Sequence, residues 1–192
     1  MNKQEALQKL KKEILKTQIA YLDHPIGFGW GNVDAEIFFV GQNPGYWPLN
    51  TLPEEIIPFA LDIEELGTGA GYVFKRMLRE LKIRRDKIYV SNVVYFSGDI
   101  KQISQDMIQL HMNFLKKEIE IVDPKVIVCL GALARQVFNV GLGEVKQVNH
   151  YIVLGTEHPS YIWRFFSEEN FRRFVNMIKL IIPYLSKETF YE

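Results

Sequence analysis

Four short, continuous apolar runs constrain the fold of this chain more than any other feature of its sequence. Runs of this length, without alternating polar residues, are typical of strands that are buried on both faces, as in a parallel sheet. The four runs are Glu36–Gly41, Lys87–Val90, Val126–Leu130 and Tyr151–Leu154. Segments with helical spacing separate them, and these are Tyr72–Leu81, Ser104–Val122 and Ala132–Val140. The alternation predicts βαβ units and a mostly parallel sheet.

Both ends of the chain are also predicted to be helical. Asn2 to about Ala20 carries apolar residues at helical spacing among charged ones. The last helix begins at Ser167 as its N-cap, and Glu168 and Glu169 follow in the first turn, where acidic residues are favourable. Because the chain has the length of one domain, we expect residues 1–192 to fold as a single unit.

Composition narrows the class of protein. A hydrophobic fraction of 47% is enough for a packed core, which argues against disorder. Lys+Arg and Asp+Glu are equal at 23 each, so the formal net charge is zero, which argues against a generally basic surface but does not exclude a local basic groove. The single cysteine, Cys129, lies in an apolar run and is interpreted as a buried hydrophobe. No apolar stretch has the length of a membrane span or forms a signal peptide, so we expect a cytoplasmic protein.

Polar residues follow three of the four predicted strands. Asn43 follows the first strand, Asn92 the second and His158 the fourth, whereas Gly131 and Ala132 follow the third and are interpreted as packing residues. Ligands of open α/β sheets bind outside the carboxyl ends of the strands. Each residue alone has an ordinary explanation, as a turn former, a cap or a loop histidine. Together at one edge of the sheet, they predict a site.

The connection after the first predicted strand is unusually long. From Gln42 to about Thr68 the sequence contains four prolines and no clear periodicity. Loops of this length in compact domains are usually functional or disordered. Because this loop leaves a buried strand at the edge where ligands bind, we predict that it is functional.

At these residues the sequence resembles the uracil-DNA glycosylase superfamily, with four segments in the right order. They are similar to its first motif, its uracil-reading strand, its third strand with the following helix, and its second motif with the loop that penetrates DNA. The segments are Phe38–Gly45, Tyr89–Val94, Val126–Ala134 and His158–Arg164. The alternation and the resemblance together imply an α/β fold, a three-layer α/β/α sandwich around a four-stranded parallel sheet.

Two departures from the superfamily leave the branch open. The first motif has Asn43, as in the mismatch-specific and single-strand-selective branches. The most active branch has aspartate at this position. The second motif and the Asn92 strand are most similar to the thermophile-type family 4, which carries an iron–sulfur cluster on four cysteines. This chain has only Cys129, so we expect no cluster, and we expect no other metal or organic cofactor.

The resemblance implies roles for the residues around the site. His158 would donate to uracil O2 as charge builds on the leaving base, and Asn43 would hold the attacking water. Asn92 would read uracil, and Phe59 would stack on it or else anchor the loop. Tyr46 or Trp47 would lie beside uracil C5 or simply pack the loop. The implied substrate-binding set is Gly41, Gln42, Gly45, Tyr46, Phe59 and Asn92.

The loop after His158 is implied to contact DNA. Ser160 would grip a phosphate, and Tyr161 and Ile162 would fill the gap left by the flipped base. Arg164, with Arg172 and Arg173 beyond it, would supply positive charge, although an ordinary solvated helix face is an equal alternative. Acidic residues of the long loop have no role in this scheme, and these are Glu54, Glu55, Asp62, Glu64 and Glu65.

The expected function is hydrolytic removal of uracil, or of a related deaminated base, from DNA by a monomer that flips the base out of the helix. One alternative is a noncatalytic module that binds uracil or DNA with the same pocket. Another is an enzyme of the same fold for a different damaged base or a free nucleoside. The intact set of Asn43, Asn92 and His158 favours catalysis, whereas the zero net charge slightly favours the alternatives.

Overall fold

The computed structural model describes residues 1–17, 24–99, 101 and 103–191. Its sheet contains six strands in the order β1-β3-β2-β4-β6-β5, of which the central four are parallel and the two edge strands antiparallel. The strands are β1 Trp30–Gly31, β2 Ile37–Gly41, β3 Ile88–Asn92, β4 Val126–Leu130, β5 Val145–Val148 and β6 Tyr151–Thr156. The predicted four-stranded parallel sheet is therefore the centre of a larger mixed sheet. The two edge strands were not predicted, because they are short and only partly buried.

Among the residues that the structure describes, six α-helices flank the sheet. They are α1 Lys3–Thr17, α2 Gly69–Glu80, α3 Gln105–Val122, α4 Ala132–Val137, α5 Pro159–Arg164 and α6 Glu168–Lys179. Ser104 and Ser167 cap α3 and α6, each accepting a backbone N–H with its side chain, as the sequence predicted for Ser167. Residues 18–20, which the predicted first helix included, lie outside the described residues. The α5 helix replaces the loop that was expected after His158.

The sheet separates two hydrophobic cores, because successive strand residues point to opposite faces. In β2, Phe38 and Val40 face the core that α1, α3 and α4 cover, whereas Ile37 and Phe39 face the core under α2, α5 and α6. This arrangement is the expected three-layer α/β fold. No helix within the described ranges combines the length and the apolar character that a membrane crossing needs.

The register of the central strands brings their carboxyl ends together. Gly41 at the end of β2 is paired with Asn92 at the end of β3, and Leu130 in β4 is paired with Thr156 in β6. The residues that follow these strands therefore leave the sheet at one edge.

Candidate active site

A cavity of about 520 Å³ opens at the carboxyl ends of the central strands, which is a normal size for a ligand site. Much of the predicted site lines it, namely Gln42, Asn43, Gly45, Phe59, Asn92, His158 and Ser160. Other lining residues were not predicted to bind substrate. They come from the segment before β1, from the long loop after β2 and from the end of β4, among them Phe28, Ile56, Ile57, Thr68 and Gly131. The wall is therefore largely apolar, with a few polar groups from different strands.

Backbone hydrogen bonds extend the pairing of β2 and β3 beyond the strand ends. The N–H groups of Val93 and Val94 donate to the carbonyls of Gly41 and Gln42 at 2.9 and 3.0 Å. Further along, the Gly98 N–H donates to the Gly45 carbonyl at 2.7 Å. The first-motif segment is thus held against the chain that follows Asn92, which fixes their relative position.

The Asn43 side chain is oriented by the same extension. Its Nδ2 donates to the carbonyl of Gly98 at 2.7 Å and to that of Phe96 at 3.4 Å. Because carbonyls accept only from the amide nitrogen, these contacts decide which side of the amide carries Nδ2. The amide oxygen Oδ1 is left as the acceptor that Asn43 can offer to the cavity.

Asn92 lies on the floor of the cavity with only 8% of its surface exposed. Its side-chain amide makes no hydrogen bond to any of the residues that the structure describes. A buried amide normally has partners, so this one is available to a ligand. Gly41 makes room for it, because a Cβ built on Gly41 would lie 2.5 Å from Asn92 Oδ1.

The His158 ring is held in one tautomer. Its Nδ1 accepts the backbone N–H of Ser160 at 3.1 Å, so Nδ1 carries no proton, and the Ser160 hydroxyl donates to the same atom at 2.7 Å. The proton of the neutral ring is therefore on Nε2, which would be 3.7 Å from a Cβ at Gly41 and so faces the end of β2. Burial lowers the pKa of His158 to about 4. At neutral pH the residue is an uncharged N–H donor.

Gly131 packs against this histidine. Its φ is +89°, which favours glycine, and a Cβ there would lie 3.0 Å from His158 Cβ. The sequence interpretation of Gly131 as a packing residue between helix and sheet is thus incomplete, because the space it leaves is occupied by the side chain of His158.

Phe59 has a left-handed backbone with φ +54°, and Ala60 follows with φ +48°. Such a conformation is costly in non-glycine residues and persists only where surrounding contacts impose it. The Phe59 ring is stacked on Phe74 at 4.3 Å and lies 5.9 Å from the His158 ring. One face of the ring is therefore covered by α2, and the residue lines the cavity.

Three basic residues bind the backbone of the long loop, in addition to the apolar contacts of its buried Ile56 and Leu61. Lys75, which is almost fully buried in α2, donates to the carbonyls of Ala60 and Glu65. Arg79 donates to the carbonyl of Glu64. Arg85 donates to the carbonyls of Leu61 and Ile63 at 2.9 and 3.2 Å. The acidic side chains that had no role in the sequence interpretation therefore lie on a loop whose backbone carbonyls accept hydrogen bonds from three cationic side chains.

A buried polar network lies beneath β3, next to Asn92. The Glu118 carboxyl of α3 accepts the hydroxyls of Tyr89, Ser91 and Tyr95 at 2.8, 2.5 and 2.8 Å. Burial raises the pKa of Glu118 above its ordinary value, although these three hydrogen bonds oppose the shift. The network fixes the strand that carries Asn92 from the opposite face of the sheet.

Five predicted residues lie outside the cavity lining. Gly41 is buried at the end of β2, where it packs against Asn92. Tyr46 is 88% exposed, and Tyr161 and Arg164 are on the surface of α5. Ile162 is fully buried in the core beneath α2 and α6. The prediction that Ile162 fills a gap in DNA is therefore wrong, because the segment is helical and turns this side chain inward.

The comparison with family models decides the identity. The model of the uracil DNA glycosylase superfamily matches residues 28–181, which include all the residues that line the cavity except Gly27. The chain belongs to this superfamily.

Three relatives are each named type-4 uracil-DNA glycosylase. The protein of Thermotoga maritima is 32% identical, over 83% of this chain and 83% of its own. That of Sulfurisphaera tokodaii is 27% identical, over 86% and 70%. That of Archaeoglobus fulgidus is 30% identical, over 68% and 58%. The resemblance to the glycosylase superfamily, close to family 4, is confirmed.

One feature expected of family 4 does not fit this glycosylase-superfamily chain. A cluster on four cysteines cannot form with the single Cys129, which is buried in β4. Within the described ranges, no group of three or more His, Cys, Asp or Glu side chains is arranged to hold a metal ion.

Proposed function

We propose that the protein removes uracil from DNA by hydrolysing the N-glycosidic bond of a flipped nucleotide. The observation that carries this proposal is the convergence of Asn43, Asn92 and His158 on one cavity at the ends of three parallel strands. Membership of the superfamily and the printed names of the three relatives support it. All of these side chains come from one chain, so a monomer has every group that the reaction needs.

Asn92 is the group that selects the base. An amide can accept from uracil N3–H and donate to O4, whereas cytosine presents an acceptor and a donor in those places. The amide is nearly buried and has no partner among the described residues, so a base that leaves it unpaired is penalised. The close fit of Gly41 against Oδ1 limits the directions in which the amide can turn.

His158 stabilises the leaving base. Cleavage leaves uracil with negative charge on its ring oxygens, and a donor that already points at this charge lowers the barrier. The Nε2–H of His158 is such a donor, because Ser160 occupies Nδ1 with two donors. Ser160 accordingly acts by positioning the histidine, since its one hydroxyl proton is not available to a phosphate in this arrangement.

Asn43 positions the water. Its Nδ2 is bound by two backbone carbonyls, which leaves Oδ1 to accept from a water beneath the sugar carbon. An amide does not take up a proton, so its contribution is placement of the nucleophile in a reaction where water attacks late. The same reasoning predicts slower chemistry than in an enzyme with a carboxylate at this position.

Phe59 provides the apolar wall for the base. Its ring is backed by Phe74 and stands beside His158, so a base stacked on it comes within reach of the histidine. Trp47, which also lines the cavity, donates its indole N–H to the Pro44 carbonyl at 3.0 Å.

The test is excision of uracil from an end-labelled oligonucleotide, followed by alkaline cleavage of the abasic product. We expect cleavage at uracil with the wild-type protein, none at cytosine in the matched oligonucleotide, and strongly reduced cleavage with Asn92→Ala. A protein that binds the uracil oligonucleotide but yields no abasic site would support the noncatalytic alternative.

A further inference from the structure

The surface beside the cavity carries a group of exposed aromatic rings that the proposed chemistry does not use. Tyr161, Trp163, Phe165 and Phe166, here called the aromatic patch, are 47, 41, 52 and 39% exposed. These four exposed rings lie within six consecutive positions, 161–166. The rings form two pairs, Tyr161 with Phe165 and Trp163 with Phe166, and exposed apolar surface of this kind generally marks an interaction site.

The rings of the aromatic patch are held in place. Trp163 and Phe166 both contact the Tyr72 ring of α2, at 5.7 and 5.9 Å between centroids. Tyr161 contacts Phe165 at 5.0 Å. The fully buried Ile162 anchors α5 to the core. A ligand that stacks on this surface would therefore lose little entropy to the ordering of side chains.

The aromatic patch is continuous with the candidate active site. The helix that carries it is capped by the His158 side chain, and Ser160 in its first turn lines the cavity. Any polymer whose nucleotide enters the cavity therefore has its neighbouring nucleotides close to these rings.

The charges around the aromatic patch do not favour a duplex. Arg76 is paired with Glu168 and Arg173 with Glu157, both at 2.8 Å. Arg164 and Arg172 have no ion pair among the described residues and are the arginines left to contact phosphate here, while the whole chain has zero net charge. Binding of a duplex depends largely on contacts between cationic side chains and phosphates, and this surface has few cationic side chains free for such contacts. Aromatic rings instead bind the faces of bases, and those faces are accessible only in unpaired DNA.

We propose that the aromatic patch is a stacking platform for unpaired bases next to the uracil, so that the preferred substrate is single-stranded DNA. The inference rests on the proposed function for its uracil, but the platform itself binds bases without regard to uracil. Stacking supplies the affinity that a neutral protein does not obtain from phosphates.

The test compares binding of a uracil-free single strand with that of the matching duplex, by fluorescence anisotropy at several salt concentrations. Phe165→Ala is expected to weaken single-strand binding by about 5- to 150-fold, which corresponds to one lost stacking contact. Phe165→Trp is expected to restore it, and Phe165→Leu is not. The salt slope should be the same in all three variants, because none of them removes a phosphate contact.

Tyr191→Ala is the matched control. Tyr191 is also exposed, but its backbone is bound to Lys82, which precedes β3 at the amino end of the sheet. This variant should bind both DNAs as the wild type does. Thermal melting of each variant separates lost folding from lost stacking.

The inference is overturned if Phe165→Ala binds single strands normally, or if it weakens single-strand and duplex binding by the same factor. Uracil excision is measured on the same samples at saturating protein. If the wild type excises uracil and Phe165→Ala binds single strands normally, only the stacking platform is contradicted. Lost binding in the variant, together with no excision by the wild type, would contradict only the proposed function.

Discussion

The contact between Gly41 and Asn92 shows how tightly the base-reading group is fitted. A methyl group at position 41 would lie 2.5 Å from Asn92 Oδ1, closer than unbonded atoms approach. We expect Gly41→Ala to displace the amide and to lower uracil excision by at least tenfold, with a small change in melting temperature. The measurement is excision rate beside thermal unfolding.

A double-mutant cycle tests whether this loss acts through Asn92. If Gly41→Ala works by moving the amide, the double variant Gly41→Ala/Asn92→Ala should excise uracil no more slowly than Asn92→Ala alone. If the losses of the two single variants add in the double variant, Gly41 is needed for its backbone conformation and not for the space that it leaves to the Asn92 side chain.

Lys75 connects α2 to the loop that carries Phe59. Its ammonium group is nearly buried and binds two loop carbonyls, one of them that of Ala60, directly after the strained Phe59. We predict that Lys75→Met raises KM for a uracil oligonucleotide more than it lowers kcat, because the stacking wall is lost while the histidine is kept. Limited proteolysis should show faster cleavage within residues 53–66.

The matched control for Lys75 is Lys179→Met at the exposed end of α6, where the ammonium group donates to Asn176 Oδ1 at 3.3 Å. It should leave KM and proteolysis unchanged. If kcat and KM of Lys75→Met are both normal while only its melting temperature falls, Lys75 is a stability residue without influence on the site.

The central strands and the long helices could be predicted because burial in the core determines the hydrophobic pattern of each. A strand buried on both faces is apolar throughout, and a helix on a sheet is apolar on one side. The edge strands Trp30–Gly31 and Val145–Val148 lack such a pattern. The helix Pro159–Arg164 is too short to display one, so nothing in the sequence separated the buried Ile162 from the exposed Tyr161.

The placement of Asn43, Asn92 and His158 at one edge followed from the sheet topology alone. The residues that hold these three side chains in position were not predicted. Glu118 and His111 were detectable, because both fall on the apolar side of α3, four residues before Val122 and Leu115. A charged residue in such a stripe indicates a buried network. The contact between Lys75 and the long loop could not be predicted, because the ammonium group binds backbone carbonyls, which do not depend on residue type.

Two histidines make the stability of the whole molecule depend on pH. Burial lowers the pKa of His111 and of His158 to about 4, against about 6.5 in an unfolded chain. Above pH 6.5 both states are neutral. Between pH 6.5 and 4 the unfolded chain takes up protons that the folded chain does not, so stability falls as pH falls.

We predict that the free energy of unfolding decreases over this window, by about 2–3 kcal/mol for the fully buried His111. Urea titrations at pH 7, 6, 5 and 4 measure it. His111→Leu is less stable at pH 7, because the Tyr95 N–H loses its acceptor, but its pH slope should be shallower. An unchanged slope would mean that His111 is not the titrating group.

The role of His158 is tested most directly by single-turnover excision beside equilibrium binding for His158→Ala. The Nε2–H donor matters when charge has developed on the leaving base, so we predict a loss of roughly 10²–10³-fold in rate, about 3–4 kcal/mol. Binding of uncleaved uracil DNA should change far less, because the ground state carries little of that charge. If rate and binding fall by the same factor, His158 holds the substrate or the fold and does not stabilise the leaving base, and the proposed mechanism is contradicted.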